Sequence, residues 1–117
     1  MNRSTLRIAI IVLTLITAGI HLYLNVRMGR FDPAFTANGL GYLALMVALF
    51  MPPPFLAGML KGREALLHYI YMGFAAITII AYFAISKQAF TDPIGLFTKA
   101  DEVLLIIALW LHLRAAA

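Results

Sequence analysis

The chain has 117 residues, of which 63% are hydrophobic and 12% charged, and it carries a formal net charge of +4. A soluble domain needs roughly 25% charged residues to cover its surface. This composition, with a mean hydropathy of +0.93, therefore excludes an ordinary water-soluble globule and points to lipid as the solvent.

The length suits one small domain over residues 1–117, and four spans of about 20 residues would use most of it. Residues 6–26 form an unbroken apolar stretch behind Arg3 and Arg7. A basic start and an apolar middle look like a signal peptide, but no small-x-small cleavage site follows. The run continues through His21, Leu22, Tyr23 and Leu24, so an uncleaved first span is expected. Residues 27–32 read as a short polar loop. The second span, residues 33–51, opens with Asp32 as a cap and Pro33 in the first turn, where a missing N–H costs nothing. Pro52, Pro53 and Pro54 stop it. Residues 55–62 read as a connector at the membrane surface, and residues 66–85 as the third span. After a loop at residues 86–91, Asp92 and Pro93 repeat the opening signal of the second span. The fourth span, residues 93–113, carries Lys99, Asp101 and Glu102 in its first turns. The expected fold is all-α, a polytopic membrane protein folded as a four-helix bundle of two helical hairpins.

The hairpins echo each other, with Leu6 and Leu66 sixty residues apart and Asp32 and Asp92 likewise. Such spacing fits duplication, although the other side chains match poorly and coincidence remains open. For orientation, Arg3, Arg7, Lys61, Arg63 and Arg114 fall on one side and Arg27, Arg30, Lys87 and Lys99 on the other. The excess of basic residues places both termini in the cytoplasm of a multi-pass protein of the cell membrane.

Cysteine is absent, which removes disulfides, thiolate metal sites and thiol nucleophiles. No basic run with interleaved aromatics supports nucleic-acid binding. Glycine-rich phosphate loops, HExxH and G-x-S-x-G elbows are missing, so a non-enzymatic protein without a cofactor is expected.

The histidines are the first candidates for chemistry. His68 and His112 lie at one level near the inner ends of spans three and four. Two such imidazoles could hold a haem between helices, against the plainer reading of ordinary interfacial side chains. His21 lies inside its span. At ~1.5 Å rise per residue, His21 is ~21 Å beyond Arg7, Asp101 ~20 Å from Arg114, Asn38 ~20 Å from Met51 and Thr78 ~22 Å from Arg63. Four helices thus place a polar side chain in one layer about two-thirds across a ~30 Å core, with Tyr82 and Glu102 within about a turn. An acid at such depth costs roughly 2.5–3.5 kcal/mol unless paired or wetted. The layer reads as a ligand or proton site, or as a hydrogen-bond cluster that fixes helix register. Contact is expected between His21 and Asp101, with the longer Glu102 stem reaching for the outer surface. On the second helix, Ala37, Gly41, Ala44 and Ala48 form a small-residue stripe suited to helix packing, internal or between subunits.

Three pieces together resemble a family of small four-helix membrane proteins found in archaea and some bacteria, of uncharacterised function. They are Gly19-Ile20-His21-Leu22, Asn38-Gly39-Leu40-Gly41-Tyr42-Leu43 and Lys99-Ala100-Asp101-Glu102. The resemblance implies the four-span fold and no particular activity. Small multidrug transporters share the size and span number, but this chain departs from them in having no acidic residue within span one. The expected function is an accessory subunit of a larger membrane complex, or a small-ligand-binding bundle, with homo-oligomers open. The alternatives are an oligomeric transporter using His21 with Asp101 or Glu102 in proton coupling, and a haem- or quinone-binding electron carrier.

Overall fold

The computed structural model describes residues 2–29, 33–85 and 93–115. The caps read at Asp32 and Asp92, the bases Arg30 and Lys87, and the loop at 86–91 lie outside these residues. Among the described residues the chain is all-helical: α1 (Arg3–Met28), α2 (Pro33–Phe50), α3 (Pro54–Leu60), α4 (Glu64–Ile85) and α5 (Pro93–Ala115).

The breaks follow local chemistry. Asn2 caps α1, its Oδ1 accepting the Thr5 N–H at 2.8 Å. Gly29, just past α1, takes φ +67°, the left-handed conformation with which glycine ends helices. Pro33 and Pro93 open α2 and α5 as the sequence suggests. The proline run ends α2 one residue earlier than expected, and its third proline starts the seven-residue α3, so the expected surface connector is itself helical. Gly62, at φ +78°, then turns the chain into α4, which begins two residues before the expected start of span three.

The four long helices run up, down, up and down. α1 packs on α2 and α5, and α4 packs on α5 and α2. This makes a square in which α1 faces α4, and α2 faces α5, across the diagonals. Hydrogen bonds bridge both diagonals, from Tyr71 of α4 to Thr14 of α1 and from Tyr42 of α2 to Glu102 of α5.

Burial is inverted relative to a soluble bundle. The apolar core of Leu6, Ile10, Tyr42, Met46, Tyr71, Leu105, Leu109 and small alanines is matched residue for residue by buried polar or charged side chains. Meanwhile Ile8, Ile77 and Ile80 lie more than 60% exposed on the outside. Two helical segments, Arg3–Tyr23 and Glu64–Ala84, are long and apolar enough to cross a membrane, and Thr36–Phe50 is a shorter apolar helix.

The small-residue stripe on α2 falls beside the buried face. Ala37 and Ala44 are exposed on the chain alone, while Gly41 and Ala48 are half-buried. The buried stripe is Gly39, Tyr42 and Met46, one helical face at spacings of three and four. Gly41 still matters, because the Phe74 ring of α4 lies against it, and a Cβ there would stand 2.6 Å from Phe74 Cζ.

Candidate functional site

Two polar clusters occupy opposite ends of the bundle, named outer and inner after the sides expected from the sequence. The outer one gathers side chains from all four long helices. Glu102 is fully buried and holds two partners, accepting from the Tyr42 hydroxyl on Oε2 and pairing with the Lys99 ammonium through Oε1. Lys99 is also buried and sits 5.1 Å from the Tyr82 ring centre, a cation–π contact. Tyr82 in turn packs over Gly95, where a Cβ would collide with it. Between α2 and α4, the Thr78 hydroxyl lies 3.0 Å from Asn38 Oδ1 and 2.9 Å from the Phe74 carbonyl.

His21 enters this layer from α1, 95% buried. Its Nδ1–H donates to the Thr17 carbonyl at 2.7 Å. A carbonyl can only accept, so Nδ1 carries the proton and Nε2 presents the lone pair of the neutral ring. The ring centre lies 6.0 Å from that of Tyr42. Asp101, next to Glu102, is 5% exposed, and its Oδ2 has no hydrogen-bond partner among the described residues.

Of the expected residues, Asn38 and Thr78 bond to each other, Glu102 is tied to Tyr42 and Lys99, Tyr82 lies against Lys99 and His21 lies beside Tyr42, while Asp101 is buried next to Glu102 on α5. Two expectations inside the layer are corrected. Glu102 does not reach for the outer surface; it is the most buried acid among the described residues, held inward by Tyr42 and Lys99. The carboxylate linked toward His21 through Tyr42 is also Glu102, not Asp101. Both acids fit inside because α5 packs on α1 with one flank and on α4 with the other. Adjacent helix positions about 100° apart can then both face protein. Tyr42 and Lys99 were missed as site residues. The signal that finds Tyr42 is the sixty-residue offset itself, since Tyr42 and Glu102 are the tenth residues of helices that open at Pro33 and Pro93.

The inner cluster is built on His68 and His112, from the neighbouring helices α4 and α5. His68 Nδ1–H donates to the Glu64 carbonyl at 2.8 Å. With His68 neutral, its Nε2 accepts from His112 Nδ1–H, at 2.7 Å. The rings are 5.0 Å apart at 18°, and Phe50 of α2 meets His112 edge-on at 5.6 Å. Both rings are buried against protein, and the cavity beside them reaches His112. An iron between two imidazoles would hold their nitrogens about 4 Å apart, twice a ~2 Å metal–nitrogen bond. The direct bond at 2.7 Å leaves no such gap, so a haem iron would require the rings to part by about 1.3 Å. Beside the pair, Arg3 of α1 is ion-paired with Glu64 of α4, and Arg7 lies over the Phe50 ring at 5.5 Å. A cavity of about 340 Å³ opens here, lined by Arg3, Ser4, Arg7, Phe50, Glu64 and His112 among others.

Fold and interior define an all-helical bundle with an apolar exterior and a charged layer inside. Comparison of the chain with family models, curated proteins and solved structures gives no match.

Proposed function

We propose that the chain is a non-enzymatic four-span membrane protein that takes up a small cation, the proton being the smallest, in its outer polar layer. Both termini and α3 face the cytoplasm in this reading. Membrane residence is supported by the inverted burial, since isoleucines at more than 60% exposure suit lipid and not water. The longest dimension of the bundle, 41 Å, is sufficient for a ~30 Å hydrocarbon core. The charges that interrupt α5 do not argue against a fourth span, because Lys99, Asp101 and Glu102 all point inward.

The observation that carries the function is the buried, unpartnered Oδ2 of Asp101. Lys99 neutralises Glu102, so an ionised Asp101 leaves the layer one negative charge in excess. A buried charge without a counter-ion is costly, and a proton or small cation removes that cost. Infrared difference spectroscopy on protein in lipid nanodiscs tests this directly. The wild type should show a protonated-carboxyl stretch that titrates with pH or shifts when sodium replaces choline, and Asp101→Asn should lose it. An identical spectrum in Asp101→Asn would refute the reading. A transporter is the second reading, favoured by the way Tyr42 links the His21 side of the layer to Glu102 and Lys99. It requires proton movement into proteoliposomes in addition to binding.

A further inference from the structure

We infer that the inner cluster is a transition-metal site, with His68, His112 and Glu64 as ligands of a zinc-class divalent ion. The three residues each offer one ligand atom, and these atoms all lie within 4.8 Å of one another. Two imidazoles and a carboxylate are a donor set that zinc takes in sites with an open fourth position. The chain has no thiolate to offer, and imidazole suits this class of metal.

The orientation of the ligands is already fixed. His68 is held by its Nδ1–H on the Glu64 carbonyl, which leaves the Nε2 lone pair facing the site. Such a bond from the remote nitrogen sets tautomer and ring direction in metal-binding histidines. Glu64 and His68 are four residues apart and share one helix face. His112 comes from α5, so the ion would tie two helices together. The present His68–His112 bond is a stand-in for the metal, because a proton now occupies the space between two nitrogens. Tetrahedral bonds of ~2.0–2.1 Å set ligand atoms about 3.3 Å apart. The rings must therefore open by roughly half an ångström from 2.7 Å, and the half-exposed Glu64 side chain must swing inward. On ligation, the His112 proton moves from Nδ1 to Nε2 or leaves to solvent. The adjoining cavity supplies room for a water or a small anion at the fourth position.

Arg3 is the competitor. Its guanidinium now neutralises Glu64 and is 39% exposed, so it can turn away along the surface when a dication takes over that role. The site is separate from the outer layer and stands or falls without it.

The test uses the full chain in detergent micelles with Co²⁺ as the optical probe and Zn²⁺ as competitor. Wild type should bind one Co²⁺ per chain with a tetrahedral ligand-field band that Zn²⁺ abolishes. His68→Gln and His112→Gln should each weaken binding by at least about tenfold. Arg3→Gln should tighten it by at least about twofold, through loss of a nearby positive charge, an effect that a purely structural role for Arg3 would not produce. Where a histidine variant fails to fold, nitrogen-15 imidazole spectra of wild type decide. Zn²⁺ should move the His68 and His112 resonances and leave His21 in place. Absence of a zinc-displaceable band, or histidine resonances that ignore Zn²⁺, overturns the proposal.

Discussion

Tyr42→Phe removes the hydroxyl that holds Glu102 in the outer layer. The substitution keeps the ring, with its edge-on contact to Phe74 at 4.8 Å and its proximity to His21 at 6.0 Å, and removes the hydroxyl, which donates to Glu102 Oε2 and also meets the Thr78 side chain. Glu102 is fully buried, so no water replaces the lost donor, and Lys99 satisfies only the other oxygen. Hydrogen bonds to charged groups contribute about 1.5–3 kcal/mol. The matching control is Tyr71→Phe, which deletes the neutral Tyr71 to Thr14 bond across the other diagonal. Neutral interhelical bonds in membrane bundles average about 0.6 kcal/mol. Tyr42→Phe should therefore cost about 1–2.5 kcal/mol more than Tyr71→Phe. Equilibrium unfolding in mixed micelles, followed by circular dichroism, measures both. A double-mutant cycle with Glu102→Gln should return most of the Tyr42 cost as coupling. Equal costs for the two tyrosines would refute the reasoning and leave ring packing as the whole contribution of Tyr42.

Glycines give a second contrast. Gly41→Leu drives a side chain into the Phe74 ring and should cost about 1–3 kcal/mol, whereas Gly73→Ala, with nothing within 4 Å of the added Cβ, should gain about 0.5–1 kcal/mol from helix propensity; unfolding measurements that reverse the order would show that the α2 to α4 contact is wrongly placed. For topology, a cysteine replacing Lys61 in the turn after α3 should resist an impermeant thiol reagent in intact cells and react once the cells are opened, and labelling from outside would invert the orientation.

The outer layer was legible because helical rise is stiff. Counting residues from the helix ends put His21, Asn38, Thr78 and Asp101 at one height, and the structure joins Asn38 to Thr78 directly. Rotation was not legible in the same way. Height says nothing about which neighbour a side chain faces, so the count chose Asp101 for a contact that passes through Tyr42 to Glu102. The same blindness hid the inner cluster. His68 and His112 were rightly set at one level, but only the packing of α4 on α5 reveals that their rings touch. Tyr42 escaped because an aromatic in an apolar run reads as filler until its hydroxyl is given a partner. Lys99 escaped because a lysine near a helix start reads as a headgroup contact, whereas α5 turns it inward against Glu102 and Tyr82.

In lipid, helices gain little from hiding leucine from a solvent that is itself hydrocarbon. Under the four-span reading, register must come from contacts that work only in one alignment. The diagonals supply them. Tyr71 with Thr14 fixes α4 against α1, and Tyr42 with Glu102 fixes α2 against α5. Because Tyr42 and Glu102 stand at the same position in their helices, the second bond holds the two hairpins level. The two hairpins nevertheless place different chemistry at equivalent heights, a phenol on α2 and a carboxylate on α5. Lys99 compensates Glu102, and nothing among the described residues compensates Asp101 Oδ2. A layer evolved only for register has no use for a second buried acid beside a satisfied one, since an asparagine would fit the same space without the charge. In the proposed reading, the surplus carboxylate is the feature that separates a binding site from a structural clasp.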